Sequence, residues 1–178
     1  GIITEYPLPT ARSYPVGIAA GPDGNLWFTE SEGDKIGRIT PGGIITEDAL
    51  PATDSFPRDI AAGPDGNLWF TEQRGNKIGR ITPRGTITRY KVPTPGSQPL
   101  GIAAGPDGNL WFTESEVNKV GRITPRGHIT EYPLPTHASY PDGGSPSGIA
   151  AGPDGNVWFT EEIGNKIGRI TPTGIITE

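Results

Sequence analysis

The stretch Ile18-Ala-Ala-Gly-Pro-Asp-Gly-Asn-Leu-Trp-Phe-Thr-Glu30 decides the fold, because almost the same segment returns three more times along the chain. The later copies are 60–72, 102–114 and 149–161, and the tryptophans of successive copies lie 42, 42 and 47 residues apart. Each copy is followed by a second repeated segment, which in the first copy is Lys35-Ile-Gly-Arg-Ile-Thr-Pro41. Internal similarity with a period of about 40 to 50 residues indicates a repeat architecture.

Each repeat contains four short strand-forming segments, which we call strands A to D. In the first repeat they are 18–20, 26–30, 35–40 and 44–47, and the hairpin turn between A and B is Pro22-Asp-Gly-Asn25. Useful helical periodicity is absent from the sequence. Four strands per repeat are typical of a propeller blade, which buries both faces of its sheet only between neighbouring blades. The sequence therefore predicts an all-β fold, a β-propeller built from four tandem four-stranded blades per chain.

The blades are expected at about 17–58, 59–100, 101–147 and 148–178 within one propeller domain, 1–178. A fifth D-like strand precedes them at Gly1-Ile-Ile-Thr-Glu-Tyr-Pro-Leu-Pro9. In a closed ring, the N-terminal strand 1–9 would complete the last blade and remove exposed sheet edges. Two closures remain open, a four-bladed ring within one chain and an eight-bladed ring formed by a homodimer. We favour the homodimer, since blades this similar should accept each other across a subunit boundary.

Composition excludes several kinds of function. The net charge of −5 disfavours non-specific binding to nucleic acid or to an anionic membrane, and the apolar runs are too short to span a bilayer. The chain has no cysteine, which removes disulfides, thiol nucleophiles and thiolate metal sites. Because it begins with Gly1, we expect a processed chain or a fragment of a longer propeller.

Function is expected on the face formed by the D-to-A and B-to-C loops, because these loops differ among the blades while the A-to-B and C-to-D turns are nearly the same in all four. An asymmetric ligand requires residues that break the repeat. We therefore predict a site for a small molecule or carbohydrate from the residues of this variable face: Tyr14, Arg58, Gln98, His137 and Ser147.

Residues shared by all four blades have architectural explanations. The glutamates that end strand B could together hold a hard cation, but pairing with Lys35 or Arg38 and their equivalents is the favoured interpretation. Turn formation explains the aspartates of the A-to-B turns, and a core between blades explains the mid-strand tryptophans. His128 begins a D strand at the outer edge, and the spacing of Ser, His and Asp suggests no nucleophile elbow or triad.

The combined blade motif, Ile-Thr-Glu-Tyr-Pro-Leu-Pro-Thr, Gly-Ile-Ala-Ala-Gly-Pro-Asp-Gly-Asn-Leu-Trp-Phe-Thr-Glu and Asn-Lys-Ile-Gly-Arg-Ile-Thr, closely resembles the virginiamycin B lyase (streptogramin lyase) family over essentially the whole chain. The resemblance implies a propeller, of seven blades in the family, that opens the ester-linked ring of type B streptogramins by magnesium-dependent elimination.

The resemblance also implies a catalytic histidine just before strand A and a magnesium-binding glutamate two residues earlier. The matching histidine positions hold Val16, Arg58, Leu100 and Ser147, and the matching glutamate positions hold Tyr14, Phe56, Gln98 and Ser145. A second metal ligand of the family lies at the end of strand B, where Glu161 or Glu162 corresponds. None of the four histidine positions holds a histidine, and none of the four glutamate positions holds a glutamate.

We therefore predict a non-catalytic scaffold or binding module that needs no cofactor and self-associates into a closed ring. A fragment or an engineered repeat protein also fits the near-identical copies. The alternative is a magnesium-dependent lyase whose site is completed across a subunit boundary, with His137 or another residue as the base. General base catalysis contributes about 10²–10⁴-fold in rate, so the missing histidine weighs against this alternative.

Overall fold

The computed structural model describes residues 1–135 and 146–178, and all regular secondary structure in these ranges is β-strand. Blade 1 contains β1 (Pro15–Ala20), β2 (Leu26–Glu30), β3 (Lys35–Ile39) and β4 (Ile45–Ala49); blade 2 contains β5 (Pro57–Ala62), β6 (Leu68–Glu72), β7 (Lys77–Ile81) and β8 (Ile87–Lys91). Blade 3 contains β9 (Pro99–Ala104), β10 (Leu110–Glu114), β11 (Lys119–Ile123) and β12 (Ile129–Pro133); blade 4 contains β13 (Pro146–Ala151), β14 (Val157–Glu161), β15 (Lys166–Ile170) and β16 (Ile176–Thr177). Within these ranges, no helix is long and apolar enough to cross a membrane.

Each blade is a four-stranded antiparallel sheet whose strands are paired in chain order. The first strand carries an irregularity in register, which in blade 1 falls between Pro15 and Ile18. The predicted all-β propeller fold is therefore confirmed.

The core lies between blades, as the spacing of the tryptophans predicts. Trp27, Ile36 and Leu50 form the tryptophan face of blade 1, and they pack against the leucine face of blade 2, which consists of Ile60, Leu68, Phe70 and Ile81. The same two faces meet between blades 2 and 3 and between blades 3 and 4. Apolar burial of this kind contributes about 25 cal/mol per Å², so each blade depends on its neighbours for stability.

Two repeated polar residues hold this packing in place. The turn aspartate Asp23 accepts a hydrogen bond of 3.0 Å from Trp27 Nε1, which fixes the indole ring, and it also binds the side chain of Asn25. Thr29 Oγ1 donates to the carbonyl of Arg58 in the next blade over 2.8 Å. Thr71 and Thr113 make the same contact to Leu100 and Ser147. These bonds explain why the aspartate and the threonine recur in every blade.

The first strands β1, β5, β9 and β13 contact one another in sequence and form an arc around a central channel. β16 is the fourth strand of blade 4, whereas residues 1–9 pair with no strand of the described chain. The Tyr6 side chain instead packs on Gly43 of blade 1. Completion of a ring by the N-terminal strand therefore stays a prediction.

Candidate functional site

The first strands of all four blades line one central cavity of about 290 Å³. Each blade contributes the two residues that follow the proline at the start of its first strand, in the order Val16, Gly17, Arg58, Asp59, Leu100, Gly101, Ser147 and Gly148. The cavity therefore contains all four positions at which the family resemblance implies a catalytic histidine. These residues break the repeat, which is what an asymmetric ligand requires.

Arg58 is the cation of this cavity. Its Nε is buried and has no hydrogen-bond partner within the described part of the chain, where no carboxylate lies within 4.0 Å of the guanidinium. Its guanidinium carbon lies 5.6 Å from the centre of the Phe56 ring, which supports the side chain from one side. A half-buried arginine whose Nε has no acceptor is suited to a carboxylate or phosphate group.

Asp59 is the carboxylate of the same cavity, and sequence reasoning missed it. Its Oδ1 accepts a hydrogen bond from the Ile60 amide (2.9 Å) and its Oδ2 from the Ile102 amide (3.0 Å), so the side chain connects β5 to β9. Burial raises the pKa of Asp59, although the two amide hydrogen bonds oppose the shift. The available signal was that Asp59 occupies the place held by glycine in the other three blades.

The other predicted ligand residues do not share one cavity. Tyr14 is 64% exposed and lines a separate cavity of about 410 Å³ formed by the first D-to-A loop. Gln98 Oε1 accepts a 3.1 Å hydrogen bond from Gln73 Nε2. Ser147 lines the central cavity with Arg58, and its Oγ lies 3.0 Å from Thr160 Oγ1. His137 lies outside the described residues.

The glutamates that end the second strands are almost fully buried in all four blades: Glu30, Glu72, Glu114 and Glu161. The predicted pairing with a nearby basic residue is found in blade 2 alone among the described residues, and the repeated Lys35 and Arg38 positions are not the partners. Lys35 Nζ contacts Glu47 on the fourth strand (2.7 Å), and Arg38 lies 3.9 Å from the turn residue Asp23. Arg89, which is a fourth-strand residue of blade 2, forms the single ion pair made by this glutamate set in the described chain, and its partner is Glu72.

The remaining three glutamates have no well-formed hydrogen bond to a described residue. Burial, together with the nearby Glu131 carboxylate, raises the pKa of Glu114 to about 8. Burial also raises the pKa values of Glu30 and Glu161, and the charge of a nearby glutamate, Glu47 or Glu178 respectively, adds to each shift. The shifts share one physical cause, because burial and a nearby carboxylate both disfavour the charged form of a carboxyl group.

Glu161 and Glu162, the candidate metal ligands, line a third cavity of about 290 Å³ at the edge of blade 4. Glu162 is exposed, and the Lys166 ammonium shares the cavity. Among residues 1–135 and 146–178, no three His, Asp or Glu side chains are grouped so that they could hold a metal ion. The described residues therefore do not fit the magnesium ion that the resemblance implies, which prefers octahedral oxygen ligation.

Comparisons with known proteins agree with the blade motif. The model of the virginiamycin B lyase family matches residues 1–178. Virginiamycin B lyase of Bacillus licheniformis is 51% identical over 41 residues, which cover 23% of this chain and 14% of that protein.

Two solved structures extend the similarity to the whole arc. A catalytically inactive variant of virginiamycin B lyase from Staphylococcus aureus, solved with quinupristin, is 51% identical with a TM-score of 0.95, covering 100% of this chain and 59% of that one. A streptogramin B lyase structure is 48% identical with a TM-score of 0.92, covering 98% of this chain and 57% of that one. The chain thus spans less than two thirds of these lyases. It belongs to the virginiamycin B lyase family.

Proposed function

We propose that this chain is a non-catalytic propeller module that binds a small anionic molecule, such as a carboxylated sugar, in its central cavity. The observation that carries the proposal is Arg58, a guanidinium with a buried, unpartnered Nε. It shares the cavity with Val16, Leu100, Ser147, three glycines and Asp59, whose two carboxylate oxygens already accept hydrogen bonds from backbone amides. Desolvated arginine binds carboxylates and phosphates through charge-assisted hydrogen bonds. The apolar wall would contact the carbon skeleton of the ligand.

The absence of a suitable base at the histidine positions supports a non-catalytic role. Elimination requires a group that removes a proton from carbon, and Val16 and Leu100 have no such group. The Arg58 guanidinium offers hydrogen-bond donors and no acceptor, and the Ser147 hydroxyl needs a neighbouring base before it reacts. These side chains support binding and orientation of a ligand rather than proton removal.

Calorimetric titration with D-glucuronate, with neutral D-glucose as the matched ligand, tests the binding proposal. We expect glucuronate to bind more tightly than glucose, and we expect Arg58→Leu to weaken glucuronate binding by about tenfold or more, as for a lost charge-assisted hydrogen bond. Arg126→Leu removes an exposed arginine outside the cavity and should leave binding unchanged. Equal affinity for the two sugars, or no effect of Arg58→Leu, would contradict the proposal.

One observation favours a second candidate, an elimination enzyme of the lyase type. The Asp59 carboxylate lies in the central cavity beside the histidine position, and burial raises its pKa, which brings it closer to that of an effective base. Against this, both of its oxygens already accept backbone hydrogen bonds. Loss of turnover in an Asp59→Asn variant would support this candidate.

A further inference from the structure

Three residues that break the repeat in blade 2 form one connected group on the variable face. Phe56 directly precedes β5, Arg58 is the second residue of that strand, and Arg74 lies in the loop between β6 and β7. The positions equivalent to Arg74 in the other blades hold two glutamates and an isoleucine: Glu32, Glu116 and Ile163. A cation at this loop position is therefore a feature of blade 2 alone.

The Phe56 ring contacts both arginines of the group. The guanidinium carbon of Arg74 lies 4.0 Å from the centre of the ring, and that of Arg58 lies 5.6 Å from the same centre. The shorter distance is that of a guanidinium stacked on the ring in van der Waals contact. Among the described residues, Phe56 is the one ring that two arginines share. It therefore connects Arg74 on the exposed loop to Arg58 in the central cavity.

Arg74 is oriented from its other side by Asp54. Arg74 Nη1 donates a hydrogen bond of 3.2 Å to Asp54 Oδ1, and both side chains are exposed to solvent. An exposed ion pair of this kind contributes little to the free energy of unfolding. We therefore attribute to Asp54 the orientation of the Arg74 guanidinium over the ring, and not a gain in stability.

The backbone beneath the Phe56 ring is also fixed. Its φ angle of 54° lies in the left-handed region, which residues other than glycine seldom adopt. The Asp34 carboxylate of blade 1 holds this conformation, because it accepts hydrogen bonds from the three successive amides of 54–56 over 2.7, 2.9 and 3.0 Å. The Phe56 carbonyl accepts a further bond of 3.1 Å from the amide of Gln73. The ring therefore projects from a backbone that is bonded on both sides.

Arg58 gains its orientation from this ring. Its Nε has no hydrogen-bond partner in the described part of the chain, and its guanidinium forms no ion pair with a described carboxylate. A long side chain that is free before binding must be ordered when a ligand arrives, and this ordering weakens the affinity. Contact with the Phe56 ring restricts the guanidinium in advance and so reduces the loss.

We propose that Arg74 is a positioning residue for the binding of ligand by Arg58, and that it acts through the Phe56 ring. This inference rests on the proposed function, because it requires Arg58 to be the residue that binds the anionic ligand. Arg74 fixes the ring, and the ring keeps the unpartnered Nε–H of Arg58 available in the central cavity before the ligand arrives.

Calorimetric titration with D-glucuronate tests the effect on affinity. Arg74→Ala should weaken binding by about threefold to tenfold, which corresponds to ordering one long side chain on binding. Arg74→Lys should weaken it to a similar extent, because lysine keeps the charge but lacks the planar group that stacks on the ring. Arg84→Ala is the matched control, since it removes an exposed arginine from the C-to-D turn of the same blade and should leave the affinity unchanged.

Two further measurements report the route through the ring. In Phe56→Leu, which removes the ring, adding Arg74→Ala should cause no further loss of affinity, because the two residues act in series. Nitrogen relaxation of the Arg58 Nε–H group, measured by NMR without ligand, reports its order directly. We expect this order to fall in Arg74→Ala and in Arg74→Lys and to stay unchanged in Arg84→Ala.

The proposed function and the positioning role fail separately. Absence of glucuronate binding, or full affinity in Arg58→Leu, would contradict the proposed function, while the relaxation of the Arg58 Nε–H group would still decide whether Arg74 positions it. If glucuronate binds through Arg58, full affinity in Arg74→Ala or in Arg74→Lys would overturn the positioning role. Additive losses in the double variant, or unchanged order of Arg58 in Arg74→Ala, would overturn it as well.

Discussion

Arg89 donates two hydrogen bonds to the Glu72 carboxylate, so blade 2 is the one described blade whose buried strand-end glutamate has an ionic partner. The second of these nitrogens also donates to Ser55 Oγ over 2.9 Å, which fixes the guanidinium between β8 and the preceding loop. In blades 1 and 3, a glutamate stands at the arginine position. Blades of nearly identical sequence therefore differ in whether the buried glutamate at the end of the second strand has an ionic partner.

Replacing Arg89 with methionine should destabilise the protein by about 3–5 kcal/mol, because the substitution leaves the Glu72 charge buried without a partner. Urea unfolding followed by tryptophan fluorescence measures the change. Arg84→Met, an exposed position in the same blade, is the control and should change stability by less than about 0.5 kcal/mol. If Arg89→Met and Arg84→Met changed the free energy of unfolding equally, the contribution of the Arg89–Glu72 ion pair to stability would be contradicted.

Stability should fall as pH rises from 5 to 9, and Glu114 should contribute to the fall. Its pKa rises from an ordinary 4.5 to about 8 in the folded protein, so the folded state binds more protons than the unfolded chain within this window. The contribution of Glu114 is complete below pH 4.5 and is lost as pH rises through 8, with a slope of up to about 1.4 kcal/mol per pH unit.

Glu114→Gln should make this pH profile flatter. The readout is the midpoint of urea unfolding at each pH, and the range from 5 to 9 avoids titration of the turn aspartates, whose pKa values are lowered. Glu72→Gln is the matched control, because it removes the partner of Arg89 and should destabilise across the whole range. If stability fell with pH as steeply in Glu114→Gln as in the parent protein, the contribution of Glu114 to the pH dependence would be contradicted.

Transplanting the blade 2 arrangement into blade 3 should stabilise the protein near neutral pH. Glu131 accepts hydrogen bonds from the Thr94 amide and hydroxyl, and the blade 2 equivalents are Arg89 and Ala52. The double variant Thr94→Ala, Glu131→Arg supplies a partner for Glu114 and removes a like charge. We expect a gain of about 1–2 kcal/mol at pH 8, as for a charge-assisted hydrogen bond, measured by urea unfolding. Glu131→Arg alone should gain less, because it leaves the Thr94 groups without their acceptor.

Gly121 should tolerate no side chain, because a Cβ at this position would lie 2.1 Å from Cζ of the Phe112 ring on the paired strand. Gly121→Ala should therefore destabilise by about 1–3 kcal/mol through forced displacement of a core ring. Gly42→Ala, where the added atom meets only Thr40 Oγ1 at 3.8 Å, is the comparison and should be nearly neutral. Thermal unfolding of the two variants distinguishes them, and a neutral Gly121→Ala would contradict the packing.

The repeat alone predicts the four sheets and the burial of the tryptophans between blades, because a residue that recurs in every blade makes the same contact in each. It does not predict the partner of Glu72, which is Arg89 at a fourth-strand position that changes between blades. Asp59 was missed for a related reason. The register irregularity near the start of each first strand decides which residues face the channel, and single-sequence spacing does not reveal it.

The most direct test of the non-catalytic assignment is the amount of intact quinupristin over time, measured by liquid chromatography and mass spectrometry with this protein and excess magnesium. We expect the same slow loss as in buffer, because the four histidine positions supply no free base, and we expect no difference between the parent protein and Asp59→Asn. Magnesium-dependent loss of quinupristin that scales with protein concentration and disappears in Asp59→Asn would contradict a non-catalytic role.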